Sequence, residues 1–129
     1  MIEVRAVAGE SRWRVEARAF CTAEGIVVLL TGGQRPHVGA VVLSLPRPSR
    51  AAPGRLSCTS TVLPLLGHKD DLVARPLAEE LAVACGQAVV VVAGVHVDDA
   101  TEEDIARLVA NCRTAGATLI RQLERLPSF

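Results

Sequence analysis

The sequence predicts one α+β domain: a mainly antiparallel sheet of about six strands, with two long helices packed on one face. Five strand-like segments come before the first long helical pattern, and a helix, a strand and a second helix follow. The 129 residues leave no room for a second domain. We therefore treat residues 1–129 as a single unit.

The first half of the chain predicts two amphipathic strands followed by two apolar strands. Residues 2–7 and 12–19 alternate apolar with charged side chains, the pattern of a strand with one solvated face. Phe20 falls on the charged side, so we expect the second strand to end there in a turn or bulge. Residues 26–30 and 38–45 are apolar without alternation, which is typical of strands covered on both faces.

The second half predicts helix, strand and helix. The first helix covers 70–85 and stops at Gly86. Because Pro76 removes a backbone hydrogen bond beyond the first turn, this helix should kink there or begin near Arg75. A β-branched strand follows at 89–94.

The last helix covers 102–126, and Thr101 with Asp104 forms the capping-box pattern at its start. A fifth strand is predicted at 55–62, after a proline-rich loop at 46–54. This strand, the first helix and the strand at 89–94 could form one right-handed parallel crossover within the sheet.

Composition excludes several classes of function. The formal charge is +0, and one Trp with two Phe cannot build a stacking surface, so we expect no nucleic-acid partner. The apolar runs are only of strand length, so no membrane span is predicted. The N-terminus shows no export signal, and we expect a cytoplasmic protein. Four widely spaced cysteines suit reduced core residues better than disulfides or a zinc site.

The apolar strands also predict self-association. Two helices can cover only one face of the sheet, yet residues 26–30, 38–45 and 89–93 are apolar on both faces. A homodimer, with residues 26–30 or 38–45 at its interface, would supply the missing cover.

The three histidines all lie beside turn residues. They occur in the segments Pro36-His37-Val38-Gly39, Gly67-His68-Lys69-Asp70-Asp71 and Gly94-Val95-His96-Val97-Asp98-Asp99. Because strand ends joined by short connections lie side by side, we expect the three side chains to converge within about 12 Å. The alternative is that Asp98 and Asp99 only favour the dipole of the following helix, and that the histidines are structural.

Two kinds of ligand fit this set of residues. A phosphate would suit the helix N-terminus after Asp71 together with Lys69, Arg35 and the amides of Gly32 and Gly33. The two glycines also fit an ordinary tight turn. A divalent metal is the other option, with these ligands: His37, His68, His96 and Asp98.

The three histidine segments, with Gly32-Gly33-Gln34-Arg35 before the first and Ala100-Thr101 after the last, resemble the LpdD-like proteins. These are the small D subunits found beside UbiX-like flavin prenyltransferases and UbiD-like hydroxyarylic acid decarboxylases of the gallate type. The resemblance extends from about Gly32 to Asn111, with Pro76 as a departure. It implies a non-enzymatic chaperone that holds prenylated FMN and delivers it to the decarboxylase. The candidate cofactor-binding residues are Gly32, Gly33, Arg35, His37, His68, Lys69, Asp70, Asp71 and His96.

Two other functions stay open at this level. A hydrolase would use a metal held by the histidines with Asp98 as base, although the chain has no HExxH sequence and no nucleophile elbow. A purely structural subunit of the decarboxylase would leave the histidines without a shared role.

Overall fold

The computed structural model describes residues 1–65 and 70–127 and shows the predicted α+β architecture. A short 3₁₀ turn, Ser11–Trp13, lies between the first two strands. The strands and helices are β1 (Ile2–Ala8), β2 (Val15–Thr22), β3 (Gly25–Gly33), β4 (Ala40–Pro48), β5 (Leu56–Pro64), α1 (Asp71–Cys85), β6 (Val89–His96) and α2 (Glu102–Glu124).

The six strands form one sheet in the order β1-β2-β3-β6-β4-β5. In the described chain every neighbouring pair is antiparallel except β3 with β6. The predicted crossover from β5 through α1 to β6 is present, but β4 lies between the two strands that it joins. The mainly antiparallel sheet is therefore confirmed, and its last strand is inserted in the centre.

Both helices cover the same face of the sheet. Helix α1 packs on β4, β5 and β6, while α2 packs mainly on β1 and β2. Alternate strand residues such as Val28, Val42 and Val91 are fully buried beneath them. The opposite side, which we call the open face, has half-buried or exposed apolar residues along its three central strands: Val27, Leu29, Val41, Leu43, Val90 and Val92.

Two expectations for β2 were wrong. The strand begins at Val15 rather than Arg12, because the 3₁₀ turn carries Trp13 to α2, where its indole N–H donates to Asp104 Oδ1 over 2.9 Å. The strand also continues past Phe20 to Thr22 without a bulge. The Arg18 guanidinium lies 5.5 Å from the centre of the Phe20 ring, and this cation–π contact covers the ring on the charged face.

Helix α1 begins at Asp71 and contains Pro76, so of the two alternatives, a kink at Pro76 or a start near Arg75, the late start was wrong. Pro76 removes one backbone hydrogen bond, but burial of residues such as Leu77 and Leu81 under the helix favours a continuous element. Gly86 ends the helix as predicted, in the left-handed region at φ 64°.

Helix α2 begins with the predicted capping box. Asp104 N–H donates to Thr101 Oγ1 over 3.1 Å, and Thr101 N–H donates to Asp104 Oδ2 over 3.0 Å. The helix ends at Glu124, two residues earlier than expected. In the described chain no helix is long and apolar enough to cross a membrane.

All four cysteines are free, as predicted, and Cys21 and Cys112 are buried in the core. Burial raises the pKa of the Cys112 thiol to about 12, and the charge of Asp70 adds to the shift. Burial also raises the pKa values of Cys21 and Cys85. These three thiols therefore stay protonated at neutral pH and are poor nucleophiles.

Candidate ligand site

The polar segments converge at one end of the sheet, where the central strands β3 and β6 terminate. We call this end the site edge. After β3 the chain passes over the end of β6. The N–H groups of Gln34 and Arg35 both donate to the His96 carbonyl, over 2.7 and 3.3 Å. The Gln34 side-chain oxygen accepts from Asp98 N–H over 2.8 Å. These bonds fix the segment of Arg35 and His37 beside the segment of His96 and Asp98.

Two of the three histidines meet at this edge. The ring centres of His37 and His96 are 6.3 Å apart, with the ring planes at 84°. This agrees with the convergence expected for these two side chains. The other predicted residues of the middle segment, His68 and Lys69, lie outside the described residues.

Asp70 connects His37 to the end of β6. Its side chain is buried, with Oδ2 3.2 Å from His37 Nε2 and Oδ1 accepting from Val95 N–H over 3.0 Å. His37 Nδ1 lies 2.9 Å from the Arg35 carbonyl. Asp70 occupies the N-cap position of α1, yet its side chain makes no capping hydrogen bond. Asp71 is the first residue of the helix.

Two glycines allow this close packing. A side chain at Gly39 would overlap Asp70 Oδ2 and lie 2.9 Å from His37 Nε2. A side chain at Gly94 would overlap the His37 carbonyl. Both glycines belong to the histidine segments of the sequence, where their turn position is visible but the tertiary contact is not.

A second, more exposed cluster contains Arg35, His96 and Asp98. Asp98 Oδ1 lies 3.0 Å from His96 Nε2 and 3.4 Å from an Arg35 guanidinium nitrogen. The Arg35 side chain is 70% exposed. A phosphate at Arg35 would therefore have to compete with the Asp98 carboxylate.

Gly32 and Gly33 lie against the backbone of neighbouring residues and leave no space for a side chain. Gly33 pairs with His96 in the sheet, has φ 75°, and would overlap the His96 carbonyl if it carried a side chain. Its N–H donates to the Arg14 carbonyl over 3.0 Å, so this amide is already engaged. At Gly32 a side chain would overlap the Arg14 carbonyl and approach the Cα of Val15. Both glycines thus belong to β3 rather than to the predicted tight turn, and close contacts with neighbouring backbone account for their missing side chains.

An apolar groove of about 400 Å³ adjoins Asp70 and His96. We call it the helix groove, since it lies between the first turns of α1 and α2 and the end of β6. Leu72 and Ile105 on its walls are 66% and 53% exposed, and Asp99 on its rim has φ 50°, which is strained for a residue other than glycine. Its apolar lining is Leu72, Val73, Val95, Val97, Ala100, Ile105, Leu108 and Val109.

Sequence reasoning missed this groove because its residues belong to two helical patterns that predict core packing. The available signal was local. Leu72 and Val73 are adjacent and project about 100° apart on the helix, so they could not both point directly at the sheet.

The expected metal site is not supported by the described residues. In residues 1–65 and 70–127, no group of three His, Cys, Asp or Glu side chains is arranged to hold a metal ion. The Nε2 atoms of His37 and His96 lie beside different carboxylates, Asp70 and Asp98. The hydrolase hypothesis depended on such a metal and therefore gains no support.

Comparison with known proteins gives the family. Residues 9–124 match the family model described as the prenylated flavin chaperone LpdD-like domain. The chain therefore belongs to the LpdD-like family of prenylated flavin chaperones, as its histidine segments predicted. No curated protein matches the sequence.

A solved structure supports the fold. One chain of the crystal structure of a novel chaperone complex for yeast 20S proteasome assembly superimposes with a TM-score of 0.59. The two chains are 18% identical, and the match covers 96% of this chain and 97% of that one. At this identity the likeness concerns the fold alone.

Proposed function

We propose that the protein binds reduced prenylated FMN as cargo and delivers it in the cytoplasm to a UbiD-like decarboxylase, without decarboxylase activity of its own. The observation that carries the proposal is the family match over residues 9–124, which includes every described residue of the candidate site. A UbiX-like flavin prenyltransferase is the source of cargo that this role implies.

The helix groove suits the ring system of such a cargo. Flavin sites combine apolar walls with a few polar groups that orient the ring, and this groove has apolar walls with Asp70, His96 and Asp99 at its margin. The groove is open to solvent beside Leu72 and Ile105. An open site of this kind limits affinity, which allows a carrier to release its cargo to the enzyme.

We also propose that the protein works as a homodimer joined through its open face. Val27 and Leu45 are exposed there by 42% and 47%, beside half-buried Leu29 and Leu43. Leu43→Glu should convert a dimer at micromolar concentration into a monomer, because a second copy can no longer bury this face. Light scattering that gives a monomer mass for the unchanged protein would contradict the proposal.

The carrier function is tested by titration and transfer. The anaerobically prepared, reduced cofactor is titrated into the protein, and the complex is then mixed with apo-decarboxylase. We expect saturable binding, faster activation of the enzyme than with free cofactor, and no decarboxylation by the carrier alone. Absence of binding, combined with a stable complex with the decarboxylase, would instead favour a structural subunit.

A further inference from the structure

A second cavity of about 360 Å³ lies at the same end of the sheet. We call it the Arg14 notch. It is lined by Ser11, Arg14, Glu16, Thr31 and Gly33, among others. Unlike the helix groove, it is mostly polar, and it lies beside the short 3₁₀ turn and the end of β3.

Arg14 is the unmatched cation in its row of charges. Glu16 and Arg18 of β2 lie on the open face, and Arg14, in extended backbone directly before the strand, continues their alternation. Glu16 is held by Arg5 at 2.8 Å and by Arg18 at 3.7 Å, and Arg18 also binds Glu3 at 2.6 Å. The Glu16 carboxylate is therefore paired with Arg5 and Arg18, the Glu3 carboxylate of β1 is paired with Arg18, and within the described chain no carboxylate forms an ion pair with Arg14.

The notch also offers hydroxyl donors. Ser11 and Thr31 line it, and neither hydroxyl is engaged with another described residue. Ser11 has φ 56°, a left-handed conformation that is unusual for serine. Strained residues persist where the surrounding structure holds them, and they cluster at ligand sites.

We propose that the Arg14 notch is a subsite for a phosphate monoester, bound by the Arg14 guanidinium and the hydroxyls of Ser11 and Thr31. A guanidinium presents paired N–H donors that match two phosphate oxygens. For the flavin cargo this subsite rests on the proposed carrier function, and it assigns the phosphate of the cofactor to Arg14 rather than Arg35, whose charge is already shared with Asp98.

The notch and the helix groove lie at the same end of the sheet, the notch on the open face and the groove on the face that the helices cover. Gly33 lines the notch, His96 lines the groove, and the two residues pair across β3 and β6. Paired strands are about 4.8 Å apart. A ligand with its ring in the groove and its phosphate in the notch would therefore have to pass around the ends of β3 and β6.

The test compares two ligands and three proteins. Reduced prenylated FMN and its dephosphorylated riboflavin form are titrated into wild type, Arg14→Ala and Arg18→Ala. Arg18 is the matched control, since it lies nearby in β2 and on the open face but is paired with Glu3. Circular dichroism verifies that each variant is folded.

We expect Arg14→Ala to weaken binding of the phosphorylated ligand by about 10- to 100-fold, the loss of one charge-assisted contact, and to leave the dephosphorylated ligand unaffected. Arg14→Lys should restore part of the affinity, and Arg18→Ala should resemble wild type. An equal loss with both ligands, or no loss with either, overturns the subsite.

A separate arm distinguishes this proposal from the carrier function. Inorganic phosphate is titrated while the NMR signals of the Arg14 side chain are followed. If wild type binds no flavin but phosphate shifts the Arg14 signals saturably, the notch stands and the flavin function fails. If flavin binds and loses no affinity in Arg14→Ala, the carrier function stands and the notch fails. Absence of any phosphate response in a protein that binds no flavin rejects both.

Discussion

Asp70 and Asp104 are buried carboxylates at the starts of the two helices, yet they have different tasks. Their exposed fractions are 6% and 3%. Asp104 closes the capping box of its own helix and accepts from Trp13 and Arg12. Asp70 makes no capping bond to α1 and instead reaches Val95 N–H and His37. The comparison indicates that Asp104 serves the fold, while Asp70 organises the site edge beside the helix groove.

The electrostatics of Asp104 fit a structural role. Hydrogen bonds, first from Thr101 N–H and then from the Trp13 indole, lower the pKa of Asp104 to about 2 from an ordinary value of 3.8. The ionised form is thus favoured by the folded state. Asp70, in contrast, is close enough to Cys112 for its charge to contribute to the raised pKa of that thiol, whose main cause is burial.

The largest effect is expected from Gly39→Ala, which disturbs the packing around Asp70 and His37. Its methyl group would overlap Asp70 Oδ2, and the residues around it must move. Overpacking of this kind typically costs about 1–3 kcal/mol. Urea unfolding measures the loss, and cofactor titration should show weakened binding in the same variant. Unchanged stability together with unchanged affinity would show that the site edge is loosely packed.

Asp104→Asn tests the structural role of Asp104 by the pH dependence of stability. Because the pKa of Asp104 is lower in the folded state, its ionised form stabilises the protein above pH 3.8, and this contribution is lost as pH falls through about 2. Wild type should therefore be more stable than the variant at pH 6, and the difference should shrink between pH 4 and pH 2. Urea unfolding at a series of pH values measures it. A constant difference across this range would contradict the assignment.

Thr101→Ala sharpens the contrast between the two helix starts. Thr101 Oγ1 accepts from Asp104 N–H, and loss of an N-cap hydroxyl typically costs about 1 kcal/mol. Chemical denaturation should show this loss, while cofactor affinity should match wild type. A fall in affinity would mean that the start of α2 also belongs to the binding site.

Arg107→Ala should have the smallest effect. The Arg107 guanidinium lies 4.4 Å from the centre of the Trp13 ring, and an exposed cation–π contact contributes about 0.5–1 kcal/mol. The decrease should appear in the urea midpoint and should be absent in a Trp13→Leu background. A decrease of the same size in that background would assign it to the salt bridge with Glu103 instead.

Features with a local cause could be predicted from the sequence. The capping box at Thr101, the stop at Gly86 and the strand periodicity depend on neighbours in the chain. The three histidine segments carry enough specific sequence to indicate the family. The meeting of His37 and His96 followed from the rule that strand ends gather at a sheet edge.

Features that depend on distant contacts could not be predicted. Trp13 leaves the expected strand because Asp104, far along the chain, binds its indole. Arg14 belongs to a row of charged residues whose pattern predicts a solvated strand face. It has no carboxylate partner in the described chain because Glu16 pairs with Arg5 and Arg18, which only the tertiary structure shows. The helix groove depends on where the first turns of α1 and α2 lie relative to the end of β6, which no local pattern specifies.

The most direct measurement is titration of reduced prenylated FMN into wild type, Asp70→Asn and Asp104→Asn, at a temperature where all three are folded. Asparagine at position 70 can still accept from Val95 N–H, so the change removes mainly the charge beside His37. We expect Asp70→Asn to weaken binding by about tenfold or more, and Asp104→Asn to bind like wild type. Equal affinity of wild type and Asp70→Asn, or a loss confined to Asp104→Asn, would contradict the assignment of the site edge as the cargo site.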